Sequence, residues 1–293
     1  MKVLSGSLVA IVTPMQEDGT VDYRALKRLI EWQIGQGSDG IVVAGTTGES
    51  ATLNEAEHCQ LISKAVAMVA GRVQVIAGTG ANSTQEAIYL TRCAASAGAD
   101  ACLLVTPYYN RPTQEGVVRH YSAIAAAVDI PQILYNVPAR TCCDMDNDTV
   151  LHLSAIDNII GLKDATGDLE RLHILRAQLP EDFLLYSGDD ASSREFLLAG
   201  GDGVITVTGN VAPRLMREMV DAARAGDRQG SIELDYWLQG LHKQLFIESS
   251  PIPSKWALHR MGLISKGIRL PLTWLSSECE DYLVDAMADA GIE

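Results

Sequence analysis

The chain has 293 residues, 47% hydrophobic and 20% charged, and a formal net charge of −14. That composition excludes a long disordered segment, and the acidic balance with no run of Lys and Arg excludes nucleic acid as a partner. A small anionic substrate stays open, because a few local N–H groups and one arginine outweigh a distant, screened surface.

Met1 to Val12 carries one Lys and a short apolar run that meets Thr13-Pro14, without the long apolar region and cleavage site of a signal peptide. No apolar stretch approaches bilayer length, so no membrane partner is expected. The six cysteines (Cys59, Cys93, Cys102, Cys142, Cys143 and Cys279) are scattered and show no CxxC metal spacing. Reduced thiols, a cytoplasmic setting and no bound metal are the expectation.

Short β-rich apolar runs begin near Ser7, Gly40, Val73, Ala101, Pro131, Asn158, Phe183 and Gly203, each followed by helical apolar spacing. Continuously apolar runs such as Ile41-Val42-Val43 and Cys102-Leu103-Leu104-Val105 suit parallel strands covered on both faces. Eight βα units with right-handed crossovers predict a closed (β/α)8 TIM barrel. An open doubly wound sheet is the competitor, but no strand is followed by GxGxxG. The alternation stops after Ala225-Gly226. Residues 1–226 are therefore expected to form the catalytic barrel and 227–293 a carboxy-terminal helical domain, with helices around Ser231 to Ile247, Pro253 to Met261 and Ser277 to Ala290. Ser250-Pro251-Ile252-Pro253 and Arg269-Leu270-Pro271 interrupt these helices, since proline removes a donor and restrains its predecessor.

Catalytic groups of such barrels project from the carboxyl ends of the strands. There stand Gly45-Thr46-Thr47-Gly48-Glu49, Thr106-Pro107-Tyr108-Tyr109-Asn110-Arg111-Pro112, Tyr135-Asn136-Val137-Pro138-Ala139-Arg140 and Lys163-Asp164-Ala165-Thr166. Lys163 ends an apolar run, which aims its amine at the barrel mouth; a water-poor mouth favours the neutral amine that attacks a carbonyl. The bland alternative is a lysine paired with Asp164 or a neighbouring carboxylate. Tyr135, one strand away, is placed to exchange protons with a carbinolamine on that nitrogen, given a hydroxyl relay from Thr46 and a tyrosine of the fourth loop. An ordinary core tyrosine is its alternative. The small residues of Gly45-Thr46-Thr47-Gly48 let backbone N–H groups turn inward onto a carboxylate, although a tight βα turn has the same composition. Arg140 offers a bidentate fork for a second carboxylate.

Together the strings GTTGES (Gly45 to Ser50), VIAGTGAN (Val75 to Asn82), TPYYNRP (Thr106 to Pro112), YNVPART (Tyr135 to Thr141) and LPLTWLS (Leu270 to Ser276) resemble the dihydrodipicolinate synthase and N-acetylneuraminate lyase superfamily, and within it the dihydrodipicolinate synthase family. The resemblance spans nearly the whole chain. It implies that Lys163 forms a Schiff base with pyruvate and that Tyr135, Thr46 and Tyr109 relay protons, Tyr109 being supplied by a neighbouring subunit. Thr46 and Thr47 are then expected to hold the pyruvate carboxylate, Arg140 that of L-aspartate 4-semialdehyde, and Gly188 and Ile205 to line the site through backbone atoms. The implied reaction is a condensation on the lysine and diaminopimelate pathway, needing no cofactor, in a homotetramer arranged as a dimer of dimers.

The resemblance also implies an L-lysine effector cleft formed by Ser50, Ala51, His58, Gly80, Asn82, Glu86 and Tyr108. Glu55 departs from that pattern, since lysine-responsive bacterial members often carry His there. Two other departures are Asp164 for the family's usual Glu and Ser250 for its common Asn, both expected to leave the chemistry untouched. The rival readings are a sugar-acid lyase of the same superfamily, such as N-acetylneuraminate lyase or a 2-keto-3-deoxy sugar acid aldolase, and a non-catalytic metabolite-binding barrel. Arg140 disfavours the first, and the set Lys163, Tyr135, Thr46 and Tyr109 disfavours the second.

Overall fold

The computed structural model describes residues 4–293. Among them, eight strands close into one barrel in sequence order: β1 (Gly6–Ala10), β2 (Gly40–Val43), β3 (Gln74–Gly78), β4 (Ala101–Val105), β5 (Gln132–Asn136), β6 (Ile159–Asp164), β7 (Leu184–Ser187) and β8 (Gly203–Thr206). All neighbouring pairs are parallel, and β8 closes on β1 from Gly203↔Gly6 to Thr206↔Val9. Each strand starts at or next to the residue expected from the sequence.

The strand pleat sorts side chains into two layers. Leu8, Val42, Ile76, Leu103, Ile133, Tyr186 and Ile205 fill the barrel interior. Their alternates Val9, Ile41, Val75, Cys102, Leu134, Leu162 and Leu185 pack outward against the helices. Tyr186 closes the lower interior, its hydroxyl donating to the Leu4 carbonyl at 2.6 Å. Helix starts are set locally. Asn54 and Glu57 form a capping box at Glu55–Val69, and Asp22, Ser83, Thr113 and Asp168 each accept from the first turn of their helices.

The final helices are Arg228–Gln244, Ile252–Arg260 and Ser277–Asp289. The first begins earlier than expected because Asp227 caps it, accepting from Gly230 N. These helices share a core with the barrel helix Pro213–Arg224, through Met216, Met219 and Val220 against Leu238, Leu241, Leu283 and Met287.

One expectation is corrected. Cys59 and Cys93 are not separate thiols but form a disulfide, with Cα atoms 5.6 Å apart. They sit on Glu55–Val69 and Thr84–Ala97, neighbouring barrel helices that pack side by side, a proximity invisible in spacing along the chain. Cys102, Cys142, Cys143 and Cys279 are free.

Candidate active site

The alternation that builds the barrel turns Lys163 inward on β6, beside its register partner Tyr135 on β5. Both are more than nine-tenths buried, and the Lys163 Nζ stands 4.2 Å from the centre of the phenol ring. Gly188, just past β7, makes room for the lysine. A Cβ at that position would lie 2.6 Å from Lys163 Cε and 2.9 Å from the Ala165 side chain.

Asp164 does not pair with Lys163. Its carboxylate faces the other way, accepting from Arg171 Nε at 2.9 Å, Asn136 Nδ2 at 3.2 Å and Thr166 N at 2.9 Å. Arg171 continues to the Met145 carbonyl, and Asn136 Oδ1 accepts from Met145 N, so the ends of β5 and β6 are tied together from outside the cavity. Among the described residues the Lys163 amine meets no carboxylate within ion-pair distance. The bland alternative for this lysine is thereby removed.

The loop after β2 is wound on itself. Gly48 N and Ser50 N donate to Gly45 O, and Glu49 N to Thr46 O, while Thr13 Oγ1 grips the Gly48 carbonyl at 2.6 Å. The N–H groups and hydroxyls of Thr46 and Thr47 take no partner among the described residues, which leaves them for a ligand. Non-glycine residues with left-handed backbone gather at these loops: Ala44, Glu49, Tyr109, Arg111 and Cys142. Such strained positions persist where surrounding structure over-determines them, commonly at binding sites.

These groups converge on a cavity of about 220 Å³ whose walls include Thr46, Thr47, Tyr135, Arg140, Lys163 and Gly188. Arg140, on the short helix Pro138–Thr141, is exposed and forms no salt bridge among the described residues, so its fork is available to an incoming carboxylate. Ile205, expected to line the site through its backbone, lies in the barrel interior with Leu8 and Tyr186 and is not among the residues of the cavity wall, where Val207 stands instead. Tyr109 stands apart, 89% exposed on the loop after β4, with φ of 74°. Within one chain it does not reach Lys163 or Tyr135.

A second cleft of about 280 Å³ adjoins the first, sharing Thr46, Val137 and Arg140. Ser50, Ala51, Glu55, His58, Gly80, Glu86 and Tyr108 line it together. Asn82 lies behind the wall, its Nδ2 donating to the Tyr108 carbonyl at 3.3 Å. Burial pushes the Tyr108 phenol up in pKa, and Glu86 adds to the effect. Burial pushes the His58 imidazole down in pKa, against the opposing pull of its Nε2 hydrogen bond with the Gly78 carbonyl at 2.7 Å.

Sequence reasoning missed several residues of the catalytic cavity. Ser250, whose departure from the family's common Asn was expected to leave the chemistry untouched, lines it together with Asp189 and Phe246. Its buried Oγ has no hydrogen-bond partner among the described residues. The Ser250-Pro251 break was visible in the sequence, but the direction of the preceding side chain was not.

A model of the dihydrodipicolinate synthetase family matches residues 3–290. The 4-hydroxy-tetrahydrodipicolinate synthase of Methylococcus capsulatus is 61% identical over 290 residues, 99% of this chain and 100% of that protein. The crystal structure of the chloride-inhibited dihydrodipicolinate synthase from Acinetobacter baumannii complexed with pyruvate superposes with a TM-score of 0.97 at 53% identity, covering 99% of this chain and 100% of the other. The enzyme from Cyanidioschyzon merolae with lysine bound gives 0.96 at 39% identity, with full coverage of both chains. On a family model that spans almost its entire length, and on a full-length relative at 61% identity, this chain belongs to the dihydrodipicolinate synthetase family.

Proposed function

We propose that the chain condenses pyruvate with L-aspartate 4-semialdehyde to give 4-hydroxy-tetrahydrodipicolinate, through a Schiff base on Lys163. The observation that carries this reading is a buried lysine amine with no carboxylate partner, held against a tyrosine in a cavity rimmed by open N–H donors.

In this mechanism the neutral Lys163 amine adds to the pyruvate keto carbon, and loss of water from the carbinolamine leaves an iminium. The positive nitrogen draws electrons from the pyruvate methyl, which gives up a proton and becomes the nucleophilic carbon of an enamine. That carbon attacks the aldehyde carbon, and the resulting alkoxide takes a proton to become the 4-hydroxyl. The substrate's amino group then adds to the imine carbon, closing the ring and expelling Lys163 as the free amine. Tyr135 carries protons at the carbinolamine and alkoxide stages, with the Thr46 hydroxyl passing them on. Thr46 and Thr47 hold the pyruvate carboxylate, and Arg140 that of the semialdehyde. The lysine nitrogen supplies the electron sink.

Tyr109 enters the relay from a second copy of the chain, which accounts for an aromatic ring left 89% exposed beside a strained backbone. The assembly on this reading is a homotetramer built as a dimer of dimers. The adjoining cleft takes L-lysine, with Glu86 facing the α-amino group and Glu55 the ε-ammonium. The compartment is the cytoplasm; no described helix is long and apolar enough to cross a membrane.

A coupled assay tests the reaction. Turnover is expected with pyruvate plus L-aspartate 4-semialdehyde, and none with N-acetylneuraminate or a 2-keto-3-deoxy sugar acid. Cleavage of the sugar acids at a higher kcat/KM than the condensation overturns the substrate assignment.

A further inference from the structure

Among the described residues, the ion pair whose side chains are both 0% exposed lies outside the cavity. Lys255 and Glu49 are both 0% exposed at their side chains and in direct contact. Glu49 ends the turn that carries Thr46 and Thr47; Lys255 belongs to the helix Ile252–Arg260 of the carboxy-terminal part. The lysine also donates to the Gly267 carbonyl at 2.9 Å, and Glu49 Oε2 accepts from Arg269 N at 3.1 Å. Gly267 is itself pressed onto the loop after β1, since a Cβ there would meet Met15 O at 2.3 Å and Gln16 O at 2.4 Å. The Arg269 side chain reaches the Thr52 and Gly19 carbonyls at 2.7 and 2.8 Å and clamps both oxygens of Glu57.

As a source of stability such a pair is a poor choice, because well-packed apolar residues of similar volume commonly do as well. What it supplies is direction. Glu49 has left-handed backbone (φ of 58°), its side chain meets Lys255 and Arg269 N, and its own N–H donates to the Thr46 carbonyl at 3.0 Å. Lys255 can therefore act on Thr46 through a short, dry chain of contacts.

We propose that Glu49 and Lys255 are positioning residues of the condensation, holding Thr46 and Thr47 at the pyruvate carboxylate and making the carboxy-terminal helices part of the active site. The inference rests on the reading of Lys163 and Thr46 given above.

The test compares Glu49→Gln and the double variant Glu49→Gln/Lys255→Met with wild type. Active sites are counted by the pyruvate trapped on Lys163 with borohydride, so misfolded protein drops out of the rate. The expected result is a kcat per trapped site lowered roughly tenfold or more, a raised KM for pyruvate and an unchanged KM for the semialdehyde, in both variants. In the double variant this loss should accompany a melting temperature near that of wild type. Wild-type kcat per site and wild-type KM values in either variant overturn the proposal, whatever the melting temperature does, because they leave the pair a purely structural role. Should the double variant fail to fold, the isosteric Glu49→Gln decides alone. Wild-type protein that traps no pyruvate overturns the underlying reaction instead, a failure separate from normal kinetics in a variant.

Discussion

The cavity at Lys163 and the cleft beside it share three residues, yet the chain completes them to different degrees. Around the lysine, the side chains of Lys163 and Tyr135 leave the inner face of barrel strands, are almost wholly buried, and are braced from outside by the bonds that Arg171 and Asn136 donate to Asp164. Around the cleft, the polar groups come from loops and helix starts, Glu55 is exposed and Glu86 half-buried, and the loop after β4 carries the exposed Tyr109. Strands of a closed barrel fix side chains to a fraction of an ångström, which covalent chemistry requires. Loops leave room for adjustment, which suits the proposed completion by a second copy and the proposed effector.

If the strand-borne half carries the chemistry, changes there should be the most damaging. Tyr135→Phe removes one hydroxyl from a packed ring, and turnover should fall by about 10²- to 10⁴-fold with little change in melting temperature. Steady-state kinetics beside a thermal melt checks both halves of that statement. Turnover like wild type rejects the proton-transfer role.

Gly188→Ala should follow. The added methyl would lie 2.6 Å from Lys163 Cε and 2.9 Å from Ala165 Cβ, so the lysine side chain and the backbone at Ala165 must both shift, which displaces the nucleophile. A drop in kcat of roughly 10²-fold is expected, since a misplacement near 1 Å costs about that much. Slowed single-turnover trapping of pyruvate would locate the loss at imine formation. An unchanged trapping rate would show that Lys163 has another productive position.

Arg140 lies on the boundary of the two spaces. Arg140→Ala should raise KM for the semialdehyde at least tenfold while moving KM for pyruvate little, the pattern expected when one fork holds one carboxylate. Equal rises for both substrates would mean general disruption of the loop after β5.

The smallest effect belongs to the open cleft. L-lysine at millimolar concentration should lower the initial rate only in part, and Glu86→Ala should flatten that response. A hydrogen bond from Asn82 to the Tyr108 carbonyl and the adjacency of Tyr108 to Tyr109 give the cleft a route to the relay. Identical, flat lysine titrations for both proteins would remove regulation and leave the catalytic reading intact.

The contrast between the regions also governs what the sequence disclosed. Apolar runs locate strands, and a polar residue ending such a run is marked as facing the barrel mouth, so Lys163 and Tyr135 were legible. Thr46 and Arg140 were legible through motifs of small or charged residues at strand ends. The direction of a side chain off an irregular segment has no such signal, and the place of Ser250 in the cavity wall did not follow from the proline break beside it. Contacts between distant segments were hidden for the same reason. Neither the pairing of Cys59 with Cys93 across two helices nor that of Glu49 with Lys255 across the barrel rim follows from local pattern. The outward turn of Asp164 depends on Arg171, a full strand-to-helix loop away.

The central claim concerns one nitrogen. Pyruvate and borohydride added together, followed by proteolysis and mass spectrometry, should leave a single reduced pyruvyl adduct on the peptide containing Lys163, and Lys163→Ala protein should take up none. Lys163→Arg should also take up none, because a guanidinium stays protonated and forms no imine. An adduct found instead on Lys255 or on another lysine of the wild-type protein would contradict the account.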